Sequence, residues 1–333
     1  MSLPPVLGDH LRLPVVAAPL FLISNPDLVI AQCKAGIIGS FPALNARPAP
    51  VLADWLERIT GELREHDRAN PTRPSAPFAV NQIVHRSNDR LMHDLEICAK
   101  FKVPIIITSL GAREDLNRMV HDYGGIVLHD VINQKFAHKA IEKGADGLIL
   151  VASGAGGHAG TLSPFAFVEE TRQWFDGPLV LSGSIATGHA ILAAQAMGAD
   201  LAYMGSVFIA TEEANAKPAY KQNIVEARAE DIVYTSHFTG VHGNYLRQSI
   251  IAAGLDPDNL PHADASKMNF GAGGTSEAKA WRDIWGSGQG IGAVRKVEKV
   301  ADLVDRLERE YVAAKDRIVG TSRKPQTVAA LAG

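Results

Sequence analysis

Eight short runs of β-branched and aliphatic residues recur between residue 13 and about residue 228, and stretches with helical spacing lie between them. The runs are Leu13–Ala18, Ile37–Ser40, Phe78–Asn81, Ile105–Ser109, Ile126–Asp130, Gly147–Val151, Leu179–Ser182 and Leu201–Met204. They are continuously apolar rather than alternating, as expected of parallel strands covered on both faces. The intervening amphipathic stretches include 48–66, 88–101, 112–123, 133–143, 164–174 and 187–197. Strand followed by helix, repeated, predicts a parallel sheet with its helices outside.

Eight such units predict a closed (β/α)₈ barrel, a TIM barrel, with a smaller C-terminal lid or subdomain. The competing architecture is an open doubly wound sheet. Its dinucleotide fingerprint would follow the first strand, where this chain reads Ala17-Ala18-Pro19-Leu20 instead of GxGxxG. Two phrases look alike, Lys143-Gly144-Ala145-Asp146-Gly147 and Met197-Gly198-Ala199-Asp200-Leu201. Each closes a helix on glycine and starts the next strand, so they repeat a structural unit and carry no chemistry. After about residue 229 the alternation lapses, and Gly271-Ala272-Gly273-Gly274 and Trp285-Gly286-Ser287-Gly288-Gln289-Gly290 appear. The expected division is residues 1–228 as barrel and 229–290 as lid or substrate subdomain. Residues 291–333 would be a helix over 294–315 returning to the barrel, with a poorly ordered tail from Gly320.

Composition narrows the function classes. The formal net charge is −3 and the sequence pI is near 6.5, which argues against nucleic acid or an acidic membrane surface as partner. Cys33 and Cys98 are the only cysteines and form no CxxC or Cys/His cluster. That pattern suits a reducing, cytoplasmic compartment without disulfides or structural zinc. Cys33 falls within an amphipathic stretch, where an inert buried thiol is expected. No leader is visible at Met1-Ser2-Leu3-Pro4-Pro5, and no apolar run nears the roughly 20 residues a bilayer requires.

The chemistry concentrates in Ser153-Gly154-Ala155-Gly156-Gly157-His158-Ala159-Gly160, directly after the sixth strand. Four glycines in eight residues let a flat or anionic ligand approach the main chain. His158 stands among them at the C-terminal end of a parallel strand, where barrels bind ligands. Its small neighbours leave it open, so proton transfer near neutral pH is the expected role, against a purely structural histidine. The late strands end in Ser182-Gly183-Ser184-Ile185-Ala186 and Met204-Gly205-Ser206-Val207. Amides of Gly183, Ser184, Gly205 and Ser206 could cradle a phosphate, or simply form tight strand-to-helix turns. No Walker lysine accompanies them, which argues against nucleotide hydrolysis. Asn81 offers a donor and an acceptor after the third strand, or caps the next turn. His129 and Asp130 end the fifth strand, and His129 is equally readable as a lining group or as core. The other histidines show no metal spacing, and there is no GxSxG elbow.

With these pieces assembled, the chain resembles the nitronate monooxygenase (2-nitropropane dioxygenase-like) family of FMN-dependent barrels over roughly residues 10–295. The carrying elements are Ala18-Pro19, Lys34-Ala35-Gly36-Ile37-Ile38-Gly39, Pro77-Phe78-Ala79-Val80-Asn81, Gly154 to Gly160, Ser182 to Ala186, Met204-Gly205-Ser206 and Gly288-Gln289-Gly290. The resemblance implies non-covalent FMN with its phosphate on the Gly183/Ser184 and Gly205/Ser206 backbones. The ring would lie between Ala18-Pro19, Asn81 and the Gly157-His158 loop, with His129 and Gln289 as further contacts and His158 as catalytic base. Departures are Gly183-Ser184 for Gly-Gly, Gly205-Ser206-Val207 for Gly-Thr-Arg, and His129-Asp130-Val131 where some reductase relatives carry Lys. Backbone donors survive the first two changes. The third bears on the substrate.

The implied reaction is oxidation of nitronates or nitroalkanes, such as propionate 3-nitronate, with O₂. The alternative is an NAD(P)H-dependent flavin reductase of quinones or enoyl thioesters, resembling the flavin-type enoyl-ACP reductases. A third class is a barrel that binds a phosphorylated ligand without redox chemistry. The expected partners are a small-molecule substrate and O₂ or NAD(P)H, and the resemblance leaves room for a homodimer.

Overall fold

The computed structural model of the chain describes residues 3–262 and 283–320. Eight parallel strands form the centre: β1 (Val15–Ala17), β2 (Gly39–Pro42), β3 (Phe78–Ile83), β4 (Ile105–Ser109), β5 (Ile126–Val131), β6 (Gly147–Val151), β8 (Leu179–Ser182) and β9 (Leu201–Met204). A two-residue strand, β7 (Gly157–His158), leaves the barrel between β6 and β8. The hydrogen-bonded order is β1-β9-β8-β6-β5-β4-β3-β2, and a parallel Val16–Ile38 bridge joins β1 to β2. There Ala17 N donates to Ile38 O at 2.8 Å and Ile38 N to Val15 O at 3.0 Å. Every strand neighbours its predecessor and the ring closes, so the fold is the TIM barrel and the doubly wound alternative is excluded.

Strand alternation sorts the side chains into two layers. Val16, Ile38, Ala79, Ile105, Ile107, Leu128, Ile149, Val180, Leu201 and Tyr203 fill the barrel interior. Val15, Phe41, Val80, Ile106, Val127, Leu148, Leu179 and Ala202 face the helix layer. A short helix absent from the sequence reading, α1 (Pro5–Gly8), puts fully buried Leu7 into the interior cluster.

The outer helices are α2 (Pro26–Lys34), α3 (Val51–Ala69), α4 (Leu91–Lys100), α5 (Glu114–Asp122), α6 (Gln134–Glu142), α7 (Pro164–Arg172) and α8 (Gly188–Ala196). Asn25, Asn133 and Thr187 cap α2, α6 and α8 by accepting from Leu28, Phe136 and Ala190 amides. The expected helix from residue 48 begins at Val51, after Pro48 and Pro50, which offer no backbone N–H. After β9 come α9 (Ser206–Ile209) and α10 (Pro218–Glu226).

Beyond residue 229, the segment read as irregular contains an antiparallel ribbon, β10 (Ile232–Thr235) and β11 (Gly243–Leu246), then α11 (Arg247–Ala252). β11 also pairs with β7, so the ribbon sits on the barrel mouth. The last helix, α12, spans Val300–Gly320 rather than 294–315. Residues Gln289–Ala293 form a 3₁₀ turn first, and the Glu213 carboxylate accepts from Val300 N at 3.1 Å. α12 packs on α8 and α2, and a Cβ on Gly188 would lie 2.2 Å from Leu307 O. The Gly271–Gly274 phrase and the tail after Gly320 lie outside the described residues.

Candidate active site

The glycine-rich loop after β6 is held by the ribbon through main-chain contacts. Gly243 pairs with His158 and Asn244 with Gly157. Asn244 Nδ2 donates to Ala155 O at 2.6 Å, Ala159 N to His242 O at 3.2 Å, and Tyr234 Oη to Ala159 O at 3.1 Å. A Cβ on Gly243 would sit 2.8 Å from Gly157 O, so only glycine permits this approach. His158 is therefore half-buried rather than open, because the ribbon covers what its small neighbours do not. His158 Nε2 lies 2.9 Å from Thr239 Oγ1, and that hydroxyl donates to Val241 O at 3.0 Å. That chain of bonds is satisfied when Nε2 carries the proton. Burial pushes the imidazole pKa down to about 4, leaving it neutral at neutral pH.

Three main-chain bends meet beside this loop. Gly183 follows β8 at φ +135°, and a Cβ there would approach Ser153 O at 2.7 Å. Gly156 and Gly288 interlock, since a Cβ on Gly156 would meet Gly288 N at 2.7 Å and one on Gly288 would meet Gly154 O at 2.6 Å. Ser206 Oγ accepts from Gly288 N at 2.8 Å, tying the chain's return segment to the β9 turn. The amides of Gly183, Gly205 and Ser206 make no backbone hydrogen bond among the described residues. Ser184 N instead points at Gly154 O, 3.4 Å away. Unpaired donors converging on one cavity are what an anion requires.

The opposite wall is built from inward positions of β3, β4 and β5. Asn81 Nδ2 donates to Ile107 O at 3.2 Å and to Ser109 Oγ at 2.7 Å. Ser109 Oγ donates in turn to the Asp130 carboxylate. Both amide hydrogens of Asn81 are thereby used, and its remaining ligand-binding capacity is the carbonyl oxygen. Burial raises Asp130 to about 6 against the opposing Ser109 bond. Burial and the nearby Asp130 charge push the Tyr203 phenol well up. His129 alternates with these residues, on the Val127 and Val131 side of β5, where Nδ1 meets Thr108 Oγ1 at 2.6 Å, and it still borders the cavity. Burial lowers it to about 4.

These walls enclose a cavity of about 1110 Å³ at the C-terminal mouth of the barrel. Ala18, Pro19, Asn81, His129, Gly157, His158, Gly183, Ser184, Gly205 and Ser206 all line it. Gln289 does not. It is exposed, and its amide donates to Gly154 O at 2.9 Å, so it latches two loops while Gly288 and Gly290 face the cavity. Sequence reading missed Ser109, Tyr203, Arg47 and Thr239 as site residues. Ser109 and Tyr203 were findable as the inward positions at strand ends. Thr239 lies 81 residues from His158 and carries no local cue. Cys33 and Cys98 are buried and pushed up to about 12, so they are inert here. No group of three or more His, Cys, Asp or Glu among the described residues is placed to hold a metal ion.

Against known proteins, the nitronate monooxygenase family model matches residues 63–310. The chain belongs to the nitronate monooxygenase family. It is an oxidoreductase of that flavoenzyme family. It is 25% identical to a nitronate monooxygenase of Paraburkholderia phytofirmans, over 93% of this chain and 94% of the relative. A nitroalkane oxidase structure from Streptomyces ansochromogenes superposes with TM-score 0.79 at 22% identity, covering 93% of this chain and 99% of that one. FabK from Thermotoga maritima superposes with TM-score 0.73 at 22% identity, over 95% and 97%. At these identities the two structures establish the shared barrel. No described helix is long and apolar enough to cross a membrane.

Proposed function

We propose that the protein is an FMN-dependent nitronate monooxygenase, oxidising alkyl nitronates or nitroalkanes with O₂. One observation carries this reading: the unpaired amides of Gly183, Gly205 and Ser206 and the neutral His158 imidazole line the same cavity. The residues fit FMN. The three amides suit its phosphate, and the close glycine contacts at 154, 156 and 288 let the loops that border the cavity interlock. Ala18, Pro19 and the Asn81 carbonyl would border its ring. When bound, FMN would accept an electron from the nitronate and deliver it to O₂.

The protein's own contribution is proton handling and charge. His158 Nδ1 would take the proton from the carbon beside the nitro group of a neutral nitroalkane. The imidazolium so formed would face the new anion, which offsets the desolvation that keeps the free ring near pKa 4. A preformed nitronate needs no such transfer. Thr239 would hold the ring in its Nε2–H tautomer throughout. With both cysteines buried as free thiols, a reducing cytoplasmic setting suits the chain.

The second reading is an NAD(P)H-dependent reductase of quinones or enoyl thioesters. The cavity size favours considering it, since pockets for small ligands usually span about 300–1,000 Å³. Anaerobic mixing of the flavin-loaded protein separates the two. Rapid loss of flavin colour with propionate 3-nitronate and none with NADPH is the expected result. The reverse pattern would reject the nitronate reading.

A further inference from the structure

We propose that the β1–β5 side of the cavity mouth is a recognition site for a terminal oxyanion on a substrate with an apolar body, anchored by Arg47. The inference deepens the nitronate reading for the end of the substrate that does not react. Leu110, Ile132 and Phe136 follow β4 and β5, are 36%, 37% and 46% exposed, and all line the cavity. Large apolar groups exposed together at a cavity mouth mark a place where apolar ligand surface lands.

Arg47 supplies the charged partner. Its Nε donates to Leu44 O at 2.7 Å, and its guanidinium carbon lies 5.4 Å from the Phe21 ring centroid. Asn45 makes this a rigid fixture. Its Oδ1 accepts from Leu22 N at 2.9 Å, and its Nδ2 donates to Leu20 O at 3.0 Å and Ser24 O at 2.8 Å. Those bonds lock the loop carrying Phe21 against the loop carrying Arg47. With Nε committed, the two terminal nitrogens remain as a preorganised fork for carboxylate or phosphate.

The local charge balance calls for an anion. Among the described residues Arg47 is paired with no carboxylate, and its neighbour Arg90, which is paired with Asp94 at 3.0 Å, works against its charge. Lys139 lines the same mouth, likewise with no carboxylate partner among the described residues, whereas Lys217 is paired with Asp283 at 3.1 Å. The one acid among the described lining residues is Asp130, deep on the inner wall. A chain of net charge −3 thus presents a positive mouth, which draws anionic ligands inward.

The carboxylate of a nitro acid and the phosphates of an acyl-thioester carrier share this chemistry. The test uses flavin-loaded wild type, Arg47→Ala and Arg47→Lys, with flavin retention and melting temperature as folding controls. Calorimetry measures binding of 3-nitropropionate, 1-nitropropane, coenzyme A and pantetheine, and kinetics compares propionate 3-nitronate with propyl-1-nitronate. In Arg47→Ala the anion should bind about 10- to 100-fold more weakly, the loss expected for a charge-assisted bond, with KM raised and kcat unchanged. 1-Nitropropane and propyl-1-nitronate should be unaffected, and Arg47→Lys should fall between. Loss confined to 3-nitropropionate assigns the carboxylate source; loss confined to coenzyme A assigns the phosphate source. An equal effect on anionic and uncharged ligands, or none on either anion, overturns the proposal. If Arg47-dependent binding holds while no nitronate is oxidised, the oxyanion site stands and the nitronate reading fails.

Discussion

The two halves of the barrel mouth are built of different material. On the β6–β9 half the surface is main chain. Gly154, Gly156, Gly183 and Gly288 leave no room for a Cβ, and Gly183, Gly205 and Ser206 line the cavity with amides that make no backbone hydrogen bond among the described residues. On the β1–β5 half it is side chain: Asn81, Ser109 and Asp130 inside, with Arg47, Leu110 and Phe136 outside. Backbone recognition tolerates sequence change as long as the bend survives, and Ser184 holds its bend at φ +57° without being glycine. Side-chain recognition does not tolerate it. The first half is therefore suited to an invariant cofactor phosphate and the second to choosing a substrate, with His158 at the seam.

Substitutions should separate the two halves in a graded way. The largest effect belongs to the seam. His158→Ala should retain FMN but lose turnover of neutral nitroalkanes by about 10²–10⁴-fold, the usual cost of removing a general base. Gly183→Ala attacks the backbone half. Its φ of +135° and the 2.7 Å approach to Ser153 O mean the bend must shift. Strain of about 1–3 kcal/mol predicts FMN binding weakened roughly 5- to 150-fold, measured by flavin dissociation, with turnover of the remaining holoenzyme little changed. Thr239→Val removes one partner of His158 Nε2 and should lower kcat by up to about 10-fold, the worth of a single hydrogen bond, with FMN affinity unaffected.

A separate effect concerns the buried titratable groups and is read as stability against pH. His129 and His158 titrate near 4 in the fold and near 6.5 when unfolded, so the unfolded chain binds more protons between these values. Stability therefore falls as pH drops through that window. Asp130 works oppositely: held near 6 rather than 3.8, its folded form binds more protons between pH 3.8 and 6 and offsets part of the loss. Asp130→Asn should steepen the acid loss between pH 6 and 4 by about 1.4 kcal/mol per pH unit, measured by urea unfolding across that range.

The barrel was legible because each parallel strand is a continuous apolar run, and all eight stand where those runs predict, within two or three residues. The ribbon over 232–246 was not. Ile232–Thr235 has an exposed Tyr234, and Gly243 is selected for contact with Gly157 rather than for strand propensity. The position of His158 at the mouth could be located from its glycines, but its burial and its Thr239 partner arise from pairing across 81 residues. Between His129 and Asp130, strand alternation decides which side chain faces inward, and the inward one is Asp130. Ala18 and Pro19 could be placed from the end of β1 alone. Gln289 stands between two residues that line the cavity, Gly288 and Gly290, without lining it itself.

Anaerobic reduction of FMN in wild type and His158→Ala, with nitroethane and with preformed ethyl nitronate, tests the central claim most directly. Wild type should lose its flavin colour with both substrates, and His158→Ala only with the preformed nitronate. Equal rates of bleaching by nitroethane in the two proteins would remove His158 from the reaction and contradict the account.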